Sequence, residues 1–217
     1  MLSNSKIDIV IYDLDGTLVD SAVTVTEIIN KMRKYRGLIP LELAIVRPLT
    51  ALGGEALIKT VLDCSDAEAP KCLNEFRQLY NDSKICPDTV FTGVVETLVS
   101  LKKLGKKLAV CTNKPRDLAI KTLNAIKITH FFDFNVCGGD VVNLKPSPDP
   151  LIKIAGAFNK DVSNCIFVGD NSVDYYAARA CGMQFLFYDS GSDPVLYESL
   201  QPNKIMSHAD ILYYVDG

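Results

Sequence analysis

Asp13 and Asp15 stand one residue apart at the end of the apolar run Ile9-Val10-Ile11-Tyr12, and they are the first side chains here that could do chemistry. Side chains two apart on a strand point the same way, so both carboxylates start out aimed at one side. Gly16 then permits a sharp exit from the strand. Carboxylates packed this closely at a buried strand end repel each other unless a cation or a shared proton relieves them. The chemistry that suits such a pair is Mg2+-assisted phosphoryl transfer.

A calcium loop is the obvious competitor. With Asp13 as position 1, an EF-hand loop needs Gly at position 6 and Glu at position 12, where this chain has Leu18 and Thr24. The calcium reading fails. Other nucleophiles are scarce. The two histidines, His130 and His208, have no metal-ligand spacing, and the seven cysteines include no C-x-x-C. Free, mostly buried thiols in a reducing compartment explain the cysteines best. Catalysis in this chain is therefore carboxylate chemistry.

Three more segments follow in order: Cys111-Thr112-Asn113-Lys114-Pro115, Lys145-Pro146-Ser147-Pro148, and Val168-Gly169-Asp170-Asn171-Ser172-Val173-Asp174. Taken singly, each reads as a turn, a helix cap or a set of helix-start charges. Together with Asp13-Leu14-Asp15-Gly16-Thr17-Leu18-Val19-Asp20-Ser21 they resemble the haloacid dehalogenase superfamily, and within it the phosphoglycolate phosphatase-like hydrolases. The resemblance runs from about Ile7 to Tyr188. It implies Asp13 as nucleophile, forming an aspartyl-phosphate, and Asp15 as general acid and base. It implies Mg2+ held by Asp13, Asp170 and the backbone carbonyl of Asp15, with Asp174 orienting those ligands or reaching the ion through water. Thr112 and Asn113 would donate hydrogen bonds to the phosphoryl oxygens, and Lys145 would neutralise their charge. Arg47, followed by Gly53-Gly54-Glu55, would recognise a substrate carboxylate from a loop of an inserted cap.

Asp15 separates this pattern from dehalogenase branches, which carry Tyr there, and from transport ATPases, which carry Thr. Phosphomutases of the family commonly have a histidine early in the cap, and this chain has none between Ser21 and Lys84. A receiver domain also gathers acids, a Thr and a Lys around a phosphorylated Asp, but it is shorter and draws its acids and acceptor from separate strands. The expected substrate is a small phosphate monoester like 2-phosphoglycolate. Sugar phosphates, nucleoside monophosphates and pyrophosphate are the alternatives.

These residues need elements to position them. From Pro87 onward strand and helix alternate, with strands over Leu108–Cys111, Phe134–Cys137, Ile166–Val168 and Gln184–Tyr188. Helices fall over Val94–Leu104, Leu118–Ala125, Pro150–Phe158 and Val173–Ala180. A last helix near Pro194 and a weak strand at Lys204–Met206 complete the reading. Alternation of this kind predicts an α/β fold, a doubly wound, Rossmann-like parallel sheet. Between Ser21 and Lys84 only helical stripes occur, over Val23–Tyr35, Leu52–Leu62 and Glu68–Tyr80. The resemblance places a helical cap there, dividing the chain into a core of residues 1–16 and 88–217 and a cap of residues 17–87. Gly16–Ser21 and Ile85–Pro87 would be the linkers.

With 217 residues, 48% of them hydrophobic and 23% charged, the chain suits a globular domain with an insertion. A net charge of -3 without basic runs argues against a nucleic-acid or membrane partner. The first apolar run is too short for a signal peptide or membrane span, so the expected location is the cytoplasm. A monomer and a homodimer are equally compatible with the sequence.

Overall fold

The computed structural model describes residues 6–191 and 198–215. Six strands form one fully parallel sheet in the order β3-β2-β1-β4-β5-β6. They are β1 (Ile9–Tyr12), β2 (Lys107–Pro115), β3 (Phe134–Gly138), β4 (Cys165–Gly169), β5 (Gln184–Tyr188) and β6 (Lys204–Ile205). The doubly wound sheet expected from the alternation is present. The helix anticipated near Pro194 begins outside the described residues.

Strand residues divide between two apolar clusters with the period of the pleat. Val10, Tyr12, Leu108, Val110, Ile166 and Val168 join one cluster. Their neighbours Ile9, Ile11, Ala109, Cys111, Cys165 and Phe167 join the other. Both faces are thus covered, which is why β1 is apolar at all four positions and buried throughout. The covering helices are α5 (Val94–Lys103), α6 (Arg116–Ala125), α7 (Asp149–Ala157) and α8 (Ser172–Cys181). The chain enters at β1, builds outward to β3, then crosses back to β4. The strand order therefore reverses beside β1, and the crevice this opens lies at the carboxyl end of that strand.

Four helices lie between β1 and α5: α1 (Ala22–Tyr35), α2 (Leu43–Leu49), α3 (Gly54–Leu62) and α4 (Ala69–Asp82). The sequence reading lacks α2, and the reason is Pro48 inside it together with Pro40 just ahead; proline reads as a breaker, yet a helix this short loses little by it. Arg47 consequently lies on a helix, not a loop. The chain departs and returns side by side. The Asp20 amide donates to the Thr89 carbonyl at 2.7 Å and the Phe91 amide to the Leu18 carbonyl at 3.2 Å, while Val19 and Val90 form an antiparallel bridge.

Candidate active site

Polar residues stand at or just beyond the carboxyl ends of the strands near the reversal, and they converge. Asp13 follows β1, Asp170 follows β4, and Thr112, Asn113 and Lys114 occupy an irregular end of β2, whose register against β3 shifts between Cys111 and Pro115. That irregularity carries β2 past its expected end at Cys111. Pro115 consequently caps α6 instead of opening it.

Asp13, Asp170 and Asp174 are all buried, and each offers a carboxylate oxygen within 4.8 Å of the others. Asp174 sits in the first turn of α8, which Asn171 caps by accepting from the Asp174 amide at 3.2 Å. Its own carboxylate accepts from the Asp170 amide at 3.2 Å and from Lys145 Nζ at 2.6 Å. Asp170 accepts from Thr17 Oγ1 at 3.1 Å and Ser190 Oγ at 3.3 Å. Gly16, at φ +80°, passes so close that a Cβ there would stand 2.0 Å from Asp170 Oδ2. Glycine is thus required by both conformation and space.

Lys145 Nζ lies 2.9 Å from Asp13 Oδ1 and donates to the Cys111 carbonyl at 2.9 Å. Asn113 holds the loop that carries it: Nδ2 donates to the Lys145 carbonyl at 2.8 Å and Oδ1 accepts from the Lys145 amide at 3.0 Å. The Asn113 side chain is therefore engaged in placing Lys145. Thr112 is buried, its Oγ1 accepting from the Lys114 amide at 3.2 Å.

Burial pushes the Asp13 carboxyl up to about 7; Lys145 opposes the shift and the Asp174 charge adds to it. Burial alone would lower Lys145, but the Asp13 and Asp174 charges override it and keep the ammonium fully charged. One buried lysine against three buried carboxylates leaves an excess of negative charge. That imbalance, an all-oxygen donor set and a backbone that yields to Asp170 at Gly16 fit a hard divalent cation such as Mg2+. Cys111 fits no catalytic part: burial pushes its thiol up to about 12. All seven cysteines are free.

Asp15 differs from Asp13. It is 31% exposed by its side chain and faces a cavity of about 610 Å3. Lys114 Nζ donates to its two oxygens at 2.9 and 3.2 Å and to Tyr80 Oη at 2.8 Å. Tyr80 comes from α4, and its hydroxyl lies 3.3 Å from Thr122 Oγ1 of α6. Thr122 spends its proton on the Leu118 carbonyl at 2.8 Å, so Tyr80 donates to Thr122 and accepts from Lys114. Burial alone would lower Lys114, but Asp15 and Tyr80 raise it.

The cavity is floored by Asp13, Asp15, Lys145, Asp170 and Asp174 and walled by α3 and α4, with Leu73, Phe76 and Arg77 contributed by α4. Arg47 is not among its walls. Its guanidinium closes in a fork on Asp20, Nη1 to Oδ1 at 2.7 Å and Nη2 to Oδ2 at 2.9 Å, beside the paired linkers. The sequence reading assigned no part to Lys114, Tyr80 or Arg77. Lys114 lies inside the Cys111-Thr112-Asn113-Lys114-Pro115 motif, and Arg77 and Tyr80 stand three apart on a helical stripe, the spacing of one face.

A profile of the family described as haloacid dehalogenase-like hydrolase matches residues 10–188. The chain is 33% identical to a plasmid-encoded phosphoglycolate phosphatase of Cupriavidus necator, over 80% of this chain and 77% of that one. It is 30% identical to a phosphoglycolate phosphatase of Cereibacter sphaeroides over 94% of each. Among solved structures, a predicted phosphoglycolate phosphatase from Haemophilus somnus superposes with a TM-score of 0.84 at 26% identity, covering 98% of this chain and 99% of the other. Among the described residues no helix is long and apolar enough to cross a membrane.

Proposed function

The chain belongs to the haloacid dehalogenase-like hydrolases and is a phosphatase, and on that footing we propose that it hydrolyses 2-phosphoglycolate or a close small monoester, with Mg2+, through an aspartyl-phosphate on Asp13. One observation carries the reading: two aspartates a residue apart have opposite surroundings. Asp13 is buried against Lys145, whereas Asp15 opens onto the cavity. Such divergence suits one carboxylate to nucleophilic attack and the other to proton transfer.

In the first step an Asp13 oxygen attacks phosphorus and the bond to the leaving oxygen breaks. Asp15 gives that oxygen its proton, and the alcohol departs. In the second, water attacks phosphorus, its proton passes to Asp15, and the acyl-phosphate bond breaks to return the Asp13 carboxylate and inorganic phosphate. Lys145 balances charge on Asp13 and the phosphoryl oxygens throughout, and Thr112 and the Asn113 backbone supply further donors. Asp13, Asp170 and the Asp15 carbonyl would hold Mg2+, with Asp174 keeping Lys145 and the Asp170 backbone in place. The ion supplies charge neutralisation for the phosphoryl group. Residues 17–87 would serve as a cap that covers the cavity and excludes water.

A larger ester is favoured by one feature, the volume of about 610 Å3 with Leu73, Phe76 and Leu118 in its wall, which exceeds what a two-carbon ester fills. A screen of 2-phosphoglycolate, sugar phosphates, nucleoside monophosphates and pyrophosphate separates the two. The highest kcat/KM is expected for 2-phosphoglycolate, with no turnover in excess chelator and inhibition by Ca2+, whose higher coordination number would let Asp13 bind through both oxygens. Preference for nucleoside monophosphates would overturn the substrate, and full activity with chelator would overturn the metal.

A further inference from the structure

We propose that Lys114, and not Arg47, recognises the carboxylate of the substrate, and that in doing so it releases Asp15 to meet the leaving oxygen. The inference rests on a 2-phosphoglycolate-like substrate. Arg47 is already committed, closed in a fork on Asp20 and absent from the cavity wall. The cavity takes its cations from Lys145, at the phosphoryl end, and from Lys114 and Arg77.

Chemistry selects Lys114 from these. In 2-phosphoglycolate a single methylene joins the carboxylate to the oxygen that leaves. Asp15 must reach that oxygen, and Lys114 Nζ lies 2.9 and 3.2 Å from the Asp15 oxygens. A substrate that puts its leaving oxygen on Asp15 therefore brings its carboxylate to Nζ. Lys114 is held for the task on its far side: Tyr80 accepts from Nζ at 2.8 Å, and the Tyr80 ring centroid lies 4.1 Å away. The direction of the Tyr80–Thr122 hydrogen bond keeps that acceptor available. Arg77, one turn earlier on α4, adds positive charge to the same wall.

The arriving carboxylate competes with Asp15 for one ammonium. When it takes Nζ, Asp15 loses its fork and is free to turn to the leaving oxygen. A neutral ester of the same size leaves Asp15 tied to Lys114. The carboxylate thus acts on kcat as well as on KM, which a simple binding contact does not do.

The test compares 2-phosphoglycolate with ethyl phosphate in the Mg2+-loaded wild type, Lys114→Gln, Lys114→Arg and Arg47→Ala. Wild type is expected to prefer 2-phosphoglycolate by roughly 10- to 100-fold in kcat/KM, part of it in kcat, the range of a charge-assisted contact. Lys114→Gln should shrink that preference to about threefold or less, Lys114→Arg should restore part of it, and Arg47→Ala should keep it. The dissociation constants of the two esters for Asp13→Asn protein, with and without Lys114→Gln, give a second readout independent of turnover. A preference that survives in Lys114→Gln, or one lost in Arg47→Ala alone, overturns the inference while leaving the substrate intact. A wild type that does not distinguish the two esters overturns the substrate, and the inference with it. Should Lys114→Gln fail to fold, Tyr80→Phe decides: a reduced preference supports the inference and an unchanged one overturns it.

Discussion

At the floor of the cavity, Lys145 and Asp174 are 3% and 0% exposed by their side chains, and they meet each other, Asp13, the Cys111 carbonyl and the Asp170 amide. At the helical wall, Lys114 meets an Asp15 that is 31% exposed and a tyrosine that belongs to α4. Both are lysine–aspartate pairs, yet the first is fully buried and the second opens on the cavity and reaches α4 through Tyr80. A buried pair holds a charge still at the cost of desolvating it, and loses much if a partner is removed. A pair open to a cavity is cheaper and can be exchanged for a ligand.

The contrast breaks most visibly at Asp13. Asp13→Asn should lower kcat by at least about three orders of magnitude with the fold preserved, because an amide is a poor nucleophile. Turnover within a few-fold of wild type, in protein checked for deamidation, would remove the floor from the chemistry.

Stability separates the two lysines next. Lys145→Met strands buried carboxylates and should cost roughly 3–5 kcal/mol in metal-free urea unfolding. Lys114→Met should cost only about 1 kcal/mol, since water can reach Asp15. Equal losses would show the pairs to be alike.

The third test uses pH. An Asp in the unfolded chain titrates near 3.8, whereas Asp13 in the folded protein is pushed up to about 7, chiefly by burial. Between these values the folded state keeps a proton that the unfolded chain has released. The contribution of Asp13 to stability is therefore full below about pH 4 and is lost as pH rises through about 7. A divalent cation bound to the ionised floor offsets that loss, so the Tm increase caused by Mg2+ should be larger at pH 8 than at pH 5. The same increase at both would sever Asp13 from the ion.

The smallest effect belongs to the apolar wall. Phe76→Ala should change kcat/KM for 2-phosphoglycolate by about threefold or less, since half-buried apolar area is cheap to remove. A tenfold loss would mean that the helical wall packs on this substrate directly.

The floor was legible from residue types because a strand end with buried charge tolerates few substitutes: Asp13, Asp15, Lys145, Asp170 and Asp174 fall together where the motifs lead. The parallel sheet was legible because β1 and its neighbours are apolar at successive positions, as burial on both faces requires. The wall was not. Tyr80 and Arg77 look like ordinary members of an amphipathic helix, and the approach of Tyr80 to Lys114 and of Arg77 to the cavity is a tertiary fact without local spacing. The pairing of Arg47 was hidden for the same reason: its partner, Asp20, lies twenty-seven residues away. Pro48 concealed α2, since a breaker near the end of a seven-residue helix has little to break.

The hydrogen-bonded stretches Leu18–Asp20 and Thr89–Phe91 have a consequence for engineering. Because these two stretches are hydrogen-bonded to each other, the residues between them form one closed loop. Loop-closure entropy grows only slowly with length, so changes of length within that loop add little to the cost of closing it. A change made within such a loop leaves the two strand-like stretches, and the carboxylates beside them, to be brought together by the same seam.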